Sequence, residues 1–258
     1  MNEAVPRPAS TVLLLRDGAG GLEVFMVTRH QKSSFMAGAL VFPGGGVDPD
    51  DSDPRHGAAA SGEAAADLAW RIAAIREVFE ETGVLLAGKY QAGDLLGPAD
   101  LAPIRERHRE RLNRREIGFA DLLAAEGLVA APEQLVPFAH WITPAGLPKR
   151  FDTRFYAVRA PEGQLGLHDD RELTGSLWIR PRDALAESDA KRVLIVFATR
   201  LNLERLALSE TVDGALTEAR ARPHFLVQPV VTSTDEGRIV RIPAEAGYGI
   251  TEMVMTEY

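Results

Sequence analysis

Residues 61–83, "SGEAAADLAWRIAAIREVFEETG", constrain the fold of this chain more than any other stretch. Ser61 can cap a helix and Gly83 can end it. Leu68, Ile72, Ile75 and Phe79 recur between them at helical spacing, so the segment predicts a helix from about Glu63 to Thr82 with that stripe on a core. Opposite the stripe, Glu77, Glu80 and Glu81 share an arc of about 100 degrees. Like charges at i,i+4 spacing cost roughly 0.2–0.5 kcal/mol per pair, and the macrodipole disfavours anions near a helix C-terminus. A solvated face, with Arg76 paired to Glu80, is the simplest account. Carboxylates gathered on one face are also what holds a hard divalent cation such as magnesium.

The chain before and after this helix predicts a mixed α/β domain. "TVLLLRD" (11–17) and "LEVFMVTRH" (22–30) read as strands joined by the hairpin loop "GAGG", and "ALVF" (39–42) as a third strand stopped by "PGGG". "DPDDSDPRHGAAASG" then predicts a flexible acidic loop, with residues 52–60 expected to be mobile and dispensable for folding. A helical pattern covers about 99–126 and carries six arginines between 105 and 115; with Glu106 and Glu110 among them, it reads as a solvated face. Strands follow at 135–144, 150–160 and 175–181, then helices within 189–220 and a closing hairpin from "FLVQPVVTS" and "GRIVRIP". There is no internal repeat and no regular βαβ alternation. The expectation is one domain with its core at about 10–185, a loop insertion at 52–62, a helical insertion at about 99–126, and C-terminal helices and a hairpin at 186–258.

Charge and composition exclude several classes. A net charge of -8 disfavours coating nucleic acid, whose phosphates are held by basic surfaces. Cysteine is absent, so no disulfide and no thiolate site can form, which suits a reducing compartment. "MNEAVPRPAS" lacks the apolar core of a secretory signal, and "VLIVFA" (193–198) is far short of the roughly 20 residues that span a bilayer. A soluble, cytoplasmic protein is expected, with no membrane and no nucleic-acid partner.

The strand ending in Pro43-Gly44-Gly45-Gly46, together with the helix and its terminating glycine, resembles the Nudix hydrolases, whose box is G-x5-E-x7-R-E-U-x-E-E-x-G-U with U aliphatic. Gly45 fits the first glycine, and residues 76–84, "REVFEETGV", fit the second half at every defined position. Asp51 stands where the first glutamate belongs, and 24 residues (52–75) separate it from Arg76 instead of seven. The resemblance implies a Nudix-type α/β/α sandwich with a mixed sheet, and metal-assisted hydrolysis of a diphosphate joined to another moiety, often a nucleoside. It makes Glu77, Glu80, Glu81 and the carbonyl of Gly44 ligands of magnesium or manganese, with Arg76 orienting Glu77. The general base is either Glu77 or a later-loop carboxylate, for which Glu172 in "HDDRELTGSLW" is the candidate; a solvated acidic turn is the alternative there.

Beyond the box, "RHQKSSFMAGALVFPGG", "HWITP" and "KRFDTRFY" are similar to the coenzyme A-type Nudix enzymes, closest to the peroxisomal branch and its bacterial relatives. Gly38 and Phe42 keep that group's spacing, while Ser34 replaces its arginine. The implied substrate is coenzyme A or acyl-coenzyme A, cleaved to 3′,5′-ADP and a 4′-phosphopantetheine product. Alternatives are another nucleoside diphosphate derivative, such as NADH or ADP-ribose, and a non-catalytic Nudix-fold binding module. Strand alternation puts Arg150, Asp152 and Arg154 on one face and Phe151, Thr153 and Phe155 on the other. The first face offers arginines for substrate phosphates or an ion pair with Asp152, and the second reads as core. Arg29 and Phe35 are further candidate substrate contacts. The partner is then a small-molecule nucleotide diphosphate, with a homodimer allowed for.

Overall fold

The longest strand, β1 (Arg7–Gly18), is apolar on both faces from Val12 to Leu15, and a strand of that kind must be covered on both sides. In the computed structural model, which describes residues 4–28, 38–59, 65–89, 95–164, 175–234 and 237–255, it is. Val12 and Leu14 pack with Ile72, Ile75 and Phe79 of the helix α1 (Ala65–Thr82). Leu13 and Leu15 point the other way, into a second core shared with α5 (Phe197–Leu206) and α6 (Val212–Ala221). The result is the expected α/β/α sandwich. Its second helical layer comes from residues beyond 185, so the core extends past that boundary.

The sheet between the layers is mixed. β1 forms a hairpin with β2 (Gly21–Thr28) through the Gly18–Gly21 turn. It runs parallel to β8 (Phe151–Arg159), from Arg7 opposite Phe151 to Leu15 opposite Arg159. β7 (Val136–Ile142) is antiparallel to β8, and the short β10 (Leu226–Val227) is parallel to β7. On the other side, β2 carries β3 (Leu40–Val41) and β9 (Ser176–Ile179), while β4 (Gly44–Gly46) pairs with the N-terminal part of β1. Two smaller sheets lie apart from this one. One pairs β5 (Ala87–Lys89) with β6 (Leu128–Ala130), and the other contains β11 (Val230–Thr234), β12 (Gly237–Arg241) and β13 (Glu252–Met255). The closing hairpin of the sequence is thus β11–β12, with a third strand added by the last described residues.

Two expectations about insertions change. The acidic loop, as far as residue 59, folds into two tight 3-10 turns, Pro49–Ser52 and Pro54–Ala59, rather than a flexible bulge. Asp51 and His56 are buried, and the His56 ring lies 5.9 Å from that of Phe119. Trimming 52–59 would therefore remove core contacts and is expected to lower stability, which a thermal melt of the trimmed chain checks. The helical insertion is two helices, α2 (Pro98–Asn113) and α3 (Phe119–Glu126), the second ended by Gly127 at φ 63. The arginines of α2 do not form a free solvated face. Arg109 donates to the carbonyls of Glu80 and Glu81 at 3.0 and 2.8 Å, Arg105 to the Gln164 carbonyl, and Arg107 to Glu126. Arg109 thus supplies positive charge to the C-terminal end of α1, where unpaired carbonyls and the macrodipole need it. Among the described residues, no helix is long and apolar enough to cross a membrane.

Candidate active site

Strand register explains how the glycine turn faces the glutamate helix. The amide of Val12 bonds to the Pro43 carbonyl and that of Val47 to the Pro8 carbonyl, so Gly44 and Gly46 fall at the alternate, non-hydrogen-bonded positions of the β1–β4 ladder. Their peptide groups turn away from β1 and toward α1. The Gly44 amide donates to Glu81 Oε2 at 3.0 Å, and the Gly46 carbonyl accepts from Arg76 Nη2 at 2.8 Å.

Arg76 is the hub. Its Nε and Nη2 bind the two oxygens of Asp51, each at 2.9 Å, and its Nη1 reaches Glu77 Oε1 at 2.8 Å and Glu80 Oε1 at 3.1 Å. With the Gly46 carbonyl, these bonds use all five guanidinium N–H donors. Asp51 is 1% exposed and is held in turn by the Asp48 amide at 2.7 Å. The residue that departs from the box pattern therefore clamps the box arginine, and the 3-10 turns close the gap that the long insertion opens. Sequence reasoning gave Asp51 no role, although its place six residues after Gly45 was the available signal.

The electrostatics follow from burial. Loss of water, first of all, and then the neighbouring charge of Glu80 raise the Glu77 carboxyl to about 6 against the pull of Arg76. Glu80 is also raised, chiefly by burial. Burial opposes the Arg76 charge, but its bonds to Asp51 and the charges of Asp51, Glu77 and Glu80 override this and hold it above its ordinary range. Two half-desolvated carboxylates beside a third, Glu81, form a set of hard oxygen donors whose repulsion a divalent cation would relieve. Among the described residues, no three acidic or histidine side chains converge as a ready-made cage. The donor chemistry fits magnesium or manganese; Glu77 and Glu80 share Arg76 Nη1, while Glu81 is held apart from them by the Gly44 amide.

Glycine is required at two positions for different reasons. A Cβ on Gly44 would lie 2.2 Å from the Ser10 carbonyl oxygen and 2.7 Å from Thr11 Cα, both backbone. The atoms nearest to a Cβ on Gly45 would be those of the Glu77 carboxylate, at 2.4 to 2.6 Å. Gly44→Ala is expected to unseat β4 and lower the melting temperature markedly. Gly45→Ala should displace Glu77 and cut activity with much less loss of stability. Thermal melts and turnover of the two variants check this contrast; equal melting temperatures would contradict it.

Beside the turn opens a cleft of about 1350 Å³. Gly44, Gly45, Gly46 and Glu81 line it, as do Trp141, Phe151, Thr153 and Phe155. Glu77 and Glu80 are not in its wall; Glu77 rests against Gly45, which is. The core reading of the Phe151-Thr153-Phe155 face of β8 holds for Phe155, which packs in the second core, but all three residues also border this space. Arg150 is buried and donates to the carbonyls of Thr143 and Ala4, both at 3.1 Å. Arg154 pairs with Asp67 and stacks 4.2 Å over the Trp70 ring, while Asp152 pairs with His140 rather than with either arginine. Both arginines hold the fold together instead of facing the cleft. Arg29, Phe35 and Glu172 lie outside the described residues.

Comparison with known proteins identifies the family. A family model described as the NUDT19 Nudix domain matches residues 55–206. The acyl-coenzyme A diphosphatase NUDT19 of Gallus gallus is 28% identical over an alignment covering 72% of this chain and 64% of that protein. Its Homo sapiens counterpart is 25% identical over 89% and 73%, respectively. The alignment thus spans less than two thirds of the length of the Gallus gallus relative. Among solved structures, a Nudix hydrolase from Alicyclobacillus acidocaldarius superposes with a TM-score of 0.65 at 28% identity, covering 83% of this chain and 96% of that one. The family match takes in more than half of the chain, including the whole glutamate helix, and this chain belongs to the Nudix family, within the NUDT19 type.

Proposed function

We propose that this chain hydrolyses the diphosphate linkage of coenzyme A or an acyl-coenzyme A, giving 3′,5′-ADP and (acyl-)4′-phosphopantetheine. The observation that carries the reading is the Arg76 hub, which brings Asp51, Glu77, Glu80 and the glycine turn together at the edge of a large cleft. The relatives named acyl-coenzyme A diphosphatase support the substrate class. So does the mixture of aromatic wall and glycine backbone, which suits a substrate with a long uncharged arm and a diphosphate.

In this reading, Glu77, Glu80 and Glu81, with the carbonyl of Gly44, would hold magnesium or manganese, which supplies charge neutralisation at the diphosphate and a more acidic water. The chain's own groups do the rest. Water oxygen attacks one phosphorus of the diphosphate, the bond from that phosphorus to the bridging oxygen breaks, and the bridging oxygen leaves with the other phosphate. The water proton passes to a carboxylate. Glu77 suits that task because Arg76 fixes its position, and a carboxyl raised to about 6 accepts a proton near neutrality better than an ordinary glutamate. The mobile pieces of such a reaction are few, so positioning and electrostatics do most of the catalysis. Glu172 is the alternative base.

A hydrolysis panel with magnesium or manganese, covering coenzyme A, acyl-coenzyme A, NADH, ADP-ribose and nucleoside triphosphates, tests the substrate. Coenzyme A or its thioester is expected to be cleaved better than the triphosphates. A tenfold advantage for a dinucleotide would move the assignment to another nucleoside diphosphate derivative.

A further inference from the structure

The C-terminal sheet has two unlike faces. Val231 lies opposite Val240, and Ser233 opposite Arg238, in the β11–β12 ladder. Cross-strand partners and alternate residues share a face, so these four side chains form one surface. All four line the cleft that Gly44, Gly45 and Glu81 also border. The sheet that follows the helical layers is therefore a wall of the candidate active site.

Arg238 is the only arginine or lysine among the described residues lining that cleft, and no acidic side chain among them pairs with it. Its neighbours differ: Arg241 on the opposite face is paired with Glu252 at 3.1 Å, and Arg150 and Arg154 are occupied within the fold. The cleft wall so presents a single guanidinium, exposed, with a serine hydroxyl directly across the ladder and two valines beside it. A guanidinium fork matches a phosphate with two parallel N–H donors.

We propose that Arg238, assisted by Ser233, binds a phosphate monoester of the substrate remote from the diphosphate that is cleaved, while Val231 and Val240 contact its uncharged part. This rests on the hydrolase reading above, in which coenzyme A carries such a monoester on its ribose. The C-terminal sheet then sets substrate choice.

The test compares coenzyme A with 3′-dephospho-coenzyme A on the wild type, Arg238→Ala and Arg238→Lys. The wild type should prefer coenzyme A by about tenfold or more in kcat/KM, as expected for a charged hydrogen-bonded pair. Arg238→Ala should erase most of that preference, with the loss falling on KM, and Arg238→Lys should restore part of it. An unchanged preference in Arg238→Ala, or an equal loss on both substrates, would overturn the assignment. Calorimetric binding of adenosine 3′,5′-bisphosphate separates this proposal from the hydrolase reading. Binding weakened about tenfold in Arg238→Ala supports the site even if the wild type turned over nothing. Binding that is absent in the wild type, or equal in both proteins, contradicts it whatever the turnover.

Discussion

Glu77→Gln is expected to lower turnover at least about a hundredfold while leaving the fold intact, the low end for loss of general-base assistance. The side chain keeps its shape, and the packing of Ile72, Ile75 and Phe79 lies on the other side of α1. Stability should move the other way. With its folded-state carboxyl at about 6 and an ordinary value of 4.5, Glu77 adds no penalty below pH 4.5, and its ionisation costs stability as pH rises through about 6. In chelator the wild type should therefore lose on the order of 1–2 kcal/mol across that window, a loss absent from Glu77→Gln. Urea titrations at pH 4.5 and 7.5 measure it. Glu172→Gln is the control for the base: if it is the more damaging of the two, the proton goes to the later loop.

Arg76→Ala should be the most destabilising single change in the site. It strips Asp51, almost fully buried, of both guanidinium bonds, and leaves Glu77 and Glu80 facing each other without the cation between them. Removing one partner of a buried pair costs about 3–5 kcal/mol, which for a chain of this size lowers the melting temperature by on the order of 10 °C. The comparison variant is Asp51→Asn, which keeps hydrogen-bonding atoms in place and should cost less. Equal melting temperatures for wild type and Arg76→Ala would mean that the hub does not hold the turn to the helix.

The layers and the site were legible from the sequence to different degrees. The α1 stripe, the two-faced apolar run of β1 and the Gly18–Gly21 hairpin follow from local periodicity, and local periodicity survives folding. The meeting of the glycine turn with α1 was legible only through the box resemblance, because Gly46 and Arg76 are 30 positions apart in sequence. Asp51 was noted as a departure from the box but given no role, because its value comes from burial beside Arg76, and burial is a property of the assembled fold. The same holds for Arg109. The four arginines of α2, with interspersed glutamates, look solvated until the carbonyl end of a neighbouring helix arrives beside Arg109. Alternation on β8 correctly separated Arg150 and Arg154 from Phe151 and Phe155, but it could not say which face met the cleft. Aromatic residues are apolar enough to read as core and equally able to line a binding site. The C-terminal strands gave no chemical signal in sequence, since a valine pair and one arginine acquire meaning only from what they border.

The central claim is that the glutamate helix and glycine turn together cleave a diphosphate. Its most direct test is separation and mass analysis of the products formed from an acyl-coenzyme A with magnesium or manganese, by wild type and by Glu77→Gln prepared identically. The account predicts 3′,5′-ADP and acyl-4′-phosphopantetheine in equal amounts from the wild type, and at least about a hundredfold less of both from the variant. Free coenzyme A and a released acid in place of those products, or the same product yield from both proteins, would contradict it.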